Sequence, residues 1–369
     1  MLFAIEKCAE CGVPHPFTHS HRWLPDGTIV QALNERARVA FLECEFIDPL
    51  FDLIGNIIGV PIDHIVVNIT TRGCQLYMES VIPEEVRRNV RERTVEPPVV
   101  AMPIIDFCHM IGYGKYSFVG YRFEGNGDDF CTIRIYRPFS VYEAAGAFAG
   151  VIACLVGGEH SVSYTEVEPK LYEFTTHWTR YPEVLKERLK LPVHLPREGD
   201  VELPRCPSCG IPEAFSRYRW DLKNGIILNT TSGRRMALLG PGLLDSVFEA
   251  LEWELGDTIP RSVVEAQRRN ARAGLRFIDL TDFKGVRDQL ALRGLGELKN
   301  YKAGKEGVYI KVANPALHLM LVGMVQGGYE KAYDIQSDVD WELSESGELT
   351  IEVKKRKVQV EVSKTLTFE

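Results

Sequence analysis

Two stretches of this chain are copies of one another: CAECGVPHPFTHSHRWLPDGTIV, from Cys8 to Val30, and CPSCGIPEAFSRYRWDLKNGIIL, from Cys206 to Leu228. A shift of 198 positions carries Cys8 onto Cys206, Cys11 onto Cys209, Gly12 onto Gly210, Phe17 onto Phe215 and Gly27 onto Gly225. A period this long is no solenoid repeat, so each copy heads a domain-sized module. The chain is a tandem duplication.

Each copy opens with a CxxCG turn followed by a hairpin signal, Asp26-Gly27 or Asn224-Gly225, for which a type I′ turn is expected. This is how a zinc-ribbon-like knuckle is built, the glycine after the second cysteine letting backbone N–H groups face the thiolates. A strand follows, ARVAFLE or RRMALLG, and then an apolar periodic segment starting at Asp48 or Asp245 and stopping at Gly59 or Gly256. After polar, arginine-containing stretches come Gly112/Gly114 and Gly294/Gly296, each leading into strands. A small-residue helix ending in a Gly pair, Gly157-Gly158 or Gly327-Gly328, and a polar strand close each module.

The expected class is α+β: two duplicated modules, each a mostly antiparallel sheet packed by helices, with small knuckles. The boundaries run 1–30 (first knuckle and hairpin), 31–180 (first module), 181–204 (Pro-containing linker with a short helix at VLKERLK), 205–229 (second knuckle) and 230–369 (second module). Near the C-terminus, Leu349, Ile351 and Val353 alternate toward KKRK, which reads as the polar turn of a hairpin.

A net charge of −8 with no other basic run argues against nucleic acid as the partner. The longest apolar stretch, Val141 to Gly158, contains Glu143 and is too short for a membrane span. No secretion signal is visible, and nine cysteines then point to a reducing compartment, the cytoplasm.

One knuckle supplies two of the four ligands that a structural zinc wants. In the first copy His15, His19 and His21 could complete a local site. In the second those positions are Glu213, Arg217 and Arg219, and no cysteine follows Cys209. The simpler solution is one tetrahedral site of Cys8, Cys11, Cys206 and Cys209 across a pseudo-twofold axis, holding zinc, with iron the alternative. Cys44, Cys74, Cys108, Cys131 and Cys154 have no ligand spacing and read as core. Cys108-His109 is a neighbouring thiol and base, but adjacent strand residues point to opposite faces, so no catalytic residue is assigned.

The order of helix ending in Gly, Gly-x-Gly strand, and Gly/Ala-rich helix ending at Gly resembles the 4-vinyl reductase domain, also called the hydrocarbon-binding domain, twice over at roughly 31–180 and 230–345. The resemblance implies a small apolar or aromatic ligand and an antiparallel sheet packed by helices, similar to the haem NO-binding and vesicle-tethering domains. The family's Glu-Cys-…-Cys zinc site has no counterpart: TEVEPKLYEF keeps Glu166 and Glu168 but lacks cysteine.

Aromatic residues concentrate in the first module, which makes it the candidate pocket, with Phe107, His109, Tyr113, Tyr116, Phe118, Phe139, Tyr142 and Phe148 as ligand-binding candidates. The alternative is that these rings are simply core. No triad, paired-carboxylate, GxGxxG or Walker pattern is present. The expected function is a metal-stapled binding protein for a hydrophobic or aromatic molecule, a carrier or sensor rather than an enzyme. A redox-enzyme subunit and an interaction scaffold are the alternatives, the latter as a homodimer or on a partner protein.

Overall fold

The computed structural model describes residues 5–180, 193–274 and 282–356. In the first copy the short helix α1 (His15–Ser20) precedes strands β1 (His21–Trp23), β2 (Ile29–Gln31) and β3 (Asn34–Glu43). Helices α2 (Ile47–Ile58), α3 (Asp63–Val81), α4 (Glu84–Arg91) and α5 (Pro97–Met110) follow, then β4 (Lys115–Arg122), β5 (Phe130–Tyr136), α6 (Val141–Val156), β6 (Glu159–Glu168) and β7 (Leu171–Thr179). The second copy follows the same order with no α-helix in the place of α1 and with three described helices in place of four before its sheet: β8 (Tyr218–Asp221), β9 (Ile226–Asn229), β10 (Arg234–Leu239), α7 (Pro241–Leu255), α8 (Ile259–Ala273), α9 (Phe283–Leu292), β11 (Glu297–Gly304), β12 (Gly307–Ala313), α10 (His318–Tyr333), β13 (Ser337–Leu343) and β14 (Glu348–Lys355). The fold is α+β, with antiparallel sheets packed by helices.

Each copy supplies a four-stranded antiparallel sheet, β4-β5-β7-β6 or β11-β12-β14-β13. The remaining strands meet in the middle. β3 pairs antiparallel with β10, Glu43 opposite Met236 and Ala40 opposite Leu239, making one six-stranded sheet β1-β2-β3-β10-β9-β8. An antiparallel pair of equivalent strands lies on a local twofold axis, so the duplication is also a spatial pseudo-symmetry.

Across that axis the copies exchange parts. Helix α2 packs on α8, and α7 packs on α3. Trp23 Nε1 donates to the Leu292 carbonyl and, in mirror fashion, Trp220 Nε1 donates to the Met110 carbonyl. Gly296 N donates to Gly27 O (3.1 Å) and Gly114 N to Gly225 O (2.8 Å). So each knuckle's hairpin is seated on the Gly-x-Gly turn of the other copy. A Cβ at Gly27 would fall inside 3.0 Å of the Gly296 backbone, and one at Gly225 inside 3.0 Å of Gly114, so neither position admits a side chain. Arg38 on β3 donates to Gly294 O and Asn314 O, while Arg235 on β10 donates to Arg137 O. Glu43 and Arg293 form a buried ion pair between copies at 3.1 Å. Two cores result, a long one running through both copies' helices and an aromatic one around the knuckles with Phe17, Phe41, Phe215 and Trp220.

Several sequence expectations need correction. The 24–28 and 221–225 turns close hairpins, but Asp26 and Asn224 do not have positive φ, so neither turn is type I′. Helix α7 begins at Pro241, placing Asp245 inside it, and α10 continues past Gly327-Gly328 to Tyr333. Cys108 and His109 lie on helix α5, not on a strand. The helix expected at VLKERLK lies outside the described residues, and the KKRK expected as a turn begins inside β14, which runs through Lys354 and Lys355. Residues 193–204 run without regular structure across the first knuckle, Val201 N bonding Pro25 O and Arg197 N bonding Asp26 Oδ2.

Candidate functional site

Two sites emerge, a thiol cluster on the pseudo-twofold axis and a cavity beside it in the first copy. Each CxxCG turn is closed by paired backbone bonds: Cys8 N to Val13 O and Gly12 N to Cys8 O, repeated as Cys206 N to Ile211 O and Gly210 N to Cys206 O. Because the knuckles face each other, Cys8 Sγ lies 3.8 Å from Cys206 Sγ and Cys11 Sγ lies 3.4 Å from Cys209 Sγ. All four sulfurs fall within 4.8 Å of one another, and the four cysteines could hold a metal ion. A tetrahedron with metal–sulfur bonds of about 2.3 Å has edges of roughly 3.8 Å, inside that range. The amides of Cys11 and Glu10 pull the Cys8 thiol down to about 6, whereas burial pushes Cys11 up. No histidine joins the group among the described residues. His21, weighed as a local ligand, instead bonds the Phe17 carbonyl through Nδ1 and faces the cavity.

The cavity has a volume of about 510 Å³. Helix α6 lines it with Glu143, Ala147, Phe148, Val151, Ile152, Leu155 and Val156, a stripe at helical spacing along nearly the whole helix. Helix α5 contributes from Pro97 to Cys108, α3 contributes Cys74 and Tyr77, and β4 contributes Tyr116, Phe118 and Tyr121. The α6 stripe covers roughly 20 Å at 1.5 Å per residue. Leu238, Asp245 and Pro315 show that the second copy closes part of the wall.

Of the aromatic candidates, Phe107, Tyr113, Tyr116, Phe118, Phe139 and Phe148 line this cavity. His109 and Tyr142 do not. His109 Nε2 accepts the Tyr116 amide (3.0 Å), tying α5 to β4, and Tyr142 donates to Asp52 (2.8 Å) beside a separate cleft. Cys74, Cys108 and Cys131, read from sequence as core, are in the wall, their thiols held protonated by burial.

The residue that sequence reasoning missed is Glu143. The Ser140-x-x-Glu143 spacing is that of a capping box, in which the glutamate would fold back onto the helix start. Here Ser140 Oγ accepts the Glu143 amide (3.1 Å), and Asp48 adds a second cap from outside the helix, accepting from Val141 N (2.8 Å) and Ser140 Oγ. Glu143 instead lines the cavity. It is 4% exposed, and neither its Oε1 nor the Thr70 hydroxyl beside it has a hydrogen-bond partner. Burial raises its carboxyl from 4.5 to about 8, the Thr70 hydroxyl opposing the rise.

A carboxyl raised on folding is protonated in the fold while its unfolded counterpart is ionised. Between those two values folding takes up a proton, so stability is greatest below pH 4.5 and is lost as pH rises through about 8. Asp48 and Asp245 are raised by burial too and share the sign, so the informative quantity is the difference from Glu143→Gln. The wild-type melting temperature minus that of Glu143→Gln is expected to fall steadily from pH 5 to pH 8.5. A flat difference would show that Glu143 ionises normally.

The second copy's equivalent helix has a different wall, with smaller residues at Val325 and Gly328 where the first has Phe148 and Val151, and larger ones elsewhere. Gly146 and Gly150 of α6 press on α3 as Gly323 and Gly327 of α10 press on α8, which aligns the two helices. On that alignment Met320 and Met324 replace Glu143 and Ala147, and Tyr329 replaces Ile152; all three are buried. Glu330 is buried against Arg268 (2.6 Å) and Arg272 (3.1 Å), a polar network absent from the first copy's helix pair.

No helix among the described residues is long and apolar enough to cross a membrane. No family model matches the sequence. No curated protein matches it. Among solved structures the chain is similar to a Cs H-NOX mutant carrying 4-cyano-L-phenylalanine at site 5, with TM-score 0.24 and 15% identity over 32% of this chain and 75% of that one. It is also similar to the I5F mutant of T. tengcongensis H-NOX, with TM-score 0.24 and 13% identity over 32% of this chain and 75% of that one.

Proposed function

We propose that this protein binds an elongated hydrophobic or aromatic small molecule in the first copy's cavity, as a carrier or sensor, and that one zinc ion staples the two copies at the knuckles. The observation that carries the reading is the cavity itself, walled mainly by aliphatic and aromatic side chains and lined along nearly the whole of α6. Volumes of this order hold drug-sized ligands, with a few polar groups fixing orientation. The resemblance to hydrocarbon-binding domains points the same way.

Zinc is favoured over an iron–sulfur cluster because sulfurs within 4.8 Å of one another surround a single ion. A cluster ties its thiolates to separate irons and needs them further apart. Zinc has no redox chemistry, so in this reading the knuckle holds the two copies together and takes no part in electron transfer.

The test uses N-phenyl-1-naphthylamine, a neutral dye that fluoresces in apolar surroundings. Saturable binding near one equivalent is expected. Val151→Trp, which puts an indole into the cavity from α6, should weaken it at least tenfold while leaving the circular dichroism spectrum unchanged. Absence of saturable binding to the wild type, together with nothing apolar extracted from the purified protein, would sink the reading.

A further inference from the structure

Of the three carboxylates in the cavity wall, only Glu143 has a fully buried oxygen without a hydrogen-bond partner among the described residues. Asp129 accepts from three backbone amides, of Glu124, Gly125 and Asn126, and is fully used in its own turn. Asp245 faces Arg38. Glu143 Oε1 is buried without a hydrogen-bond partner, no cation acts on the carboxyl, and the residue sits beside the Thr70 hydroxyl in the first turn of α6, at one end of the lining stripe. A buried polar atom left unpaired costs on the order of 1–3 kcal/mol, a cost that a bound group can remove.

The cations in the wall limit what that group can be. No lysine lines the cavity, its histidines His21, His160 and His194 are pushed toward the neutral form by burial, and its arginines are Arg36, Arg38 and Arg122. Arg38 is committed to the carbonyls of Gly294 and Asn314, Arg122 is paired with Glu124 and Asn126, and Arg36 lies on the exposed rim. Cys74, Cys108, Tyr113 and Tyr116 share the wall and are all held in their neutral forms by burial. A ligand carboxylate placed beside Glu143 would find no counter-ion there and would be repelled if Glu143 ionised.

We infer that Glu143 is the anchor for the polar end of the ligand, and that the ligand is a single-chain amphiphile whose head is uncharged and accepts a hydrogen bond, such as an alcohol, ketone or amide. The carboxylic acid donates its O–H to the head while the chain runs along α6 toward Val156. A carboxylic acid kept neutral in an apolar site serves as a hydrogen-bond donor in this way. This inference rests on the cavity being a ligand site, as proposed above.

The experiment is displacement of N-phenyl-1-naphthylamine at pH 7 by four molecules of one chain length: dodecane, 1-dodecanol, dodecanoate and dodecylamine. They are measured on the full-length wild type, Glu143→Gln and Glu143→Leu. In the wild type, dodecanol should bind about tenfold tighter than dodecane, and dodecanoate more weakly than dodecanol. Glu143→Leu should bring dodecanol and dodecane within twofold of each other while the dye still binds. Glu143→Gln, whose amide also donates, should keep part of the preference and serves if the leucine variant fails to fold.

Equal binding of dodecanol and dodecane by the wild type overturns the anchor, as does a preference that survives Glu143→Leu. Dodecylamine as the tightest ligand overturns the uncharged head, since Glu143 would then be acting as a carboxylate. Failure of the wild type to bind the dye or any of the four molecules instead removes the cavity reading beneath the inference.

Discussion

Cys206→Ser is expected to abolish the proposed zinc binding and to destabilise both copies in a single transition. The purified wild type is expected to contain about one zinc per chain and the variant essentially none, by inductively coupled plasma mass spectrometry. The reason lies in where the sulfurs sit: Cys8 against Cys206 and Cys11 against Cys209, each knuckle giving half of a tetrahedron. Apparent binding free energies for structural zinc are about 10–16 kcal/mol, and they become folding free energy when the site forms only in the fold. Losing one of four thiolates should therefore lower stability by several kcal/mol, among the largest effects that a single substitution has. Cys8→Ser, at the equivalent position in the other copy, should behave the same way. Retention of one zinc by Cys206→Ser would mean that the first knuckle is closed locally.

Gly225→Ala, which adds one methyl group in the second knuckle, is expected to disrupt the cavity end of the first copy. Two effects add. Gly225 has φ +60°, which for an L residue costs on the order of 1 kcal/mol. Its Cβ would also overlap the carbonyl of Gly114, a backbone atom that cannot swing aside. Together they should destabilise by about 3 kcal/mol or more, by analogy with overpacked sites. Tyr113, next to Gly114, lines the cavity, so N-phenyl-1-naphthylamine affinity should fall with stability. Gly210→Ala separates the two effects: its φ is +73° but nothing lies within 4 Å of the added carbon. It should cost only about 1 kcal/mol and leave dye binding unchanged. Equal losses for the two variants would mean that the cross-copy contact contributes nothing beyond backbone strain.

The cysteine pairs, hairpin glycines and small-residue helices were legible in the sequence because each depends on a residue type at fixed spacing. The pairing of the knuckles was legible too, by elimination, since the second copy has no nearby histidine. The exchange was not. A repeat shows which segments are equivalent, but α2 packs equally well in principle on its own copy's helices or on the sister's, and only the β3–β10 pairing decides. Helix α5 was hidden by Pro97, Pro98 and Pro103, which resemble a loop, though the first two simply occupy the helix start. Glu143 was hidden by its capping-box spacing, which reads as a helix-start role, whereas Ser140 and, from another part of the chain, Asp48 cap this helix.

The exchanged seats also set a timetable for synthesis. Domains usually fold as they emerge, the N-terminal one first. Here Gly27 is seated by Gly296, Trp23 bonds Leu292, and Phe41 N bonds Arg293 O. The first copy thus leaves the ribosome with its knuckle unseated, two thiolates unpartnered and strand β3 without a neighbour on one edge. It must wait in that state until nearly 300 residues have been made. Nascent chains of this protein should therefore gain protease resistance in one late step rather than in two, and the half-built chain is the form most exposed to edge-to-edge aggregation.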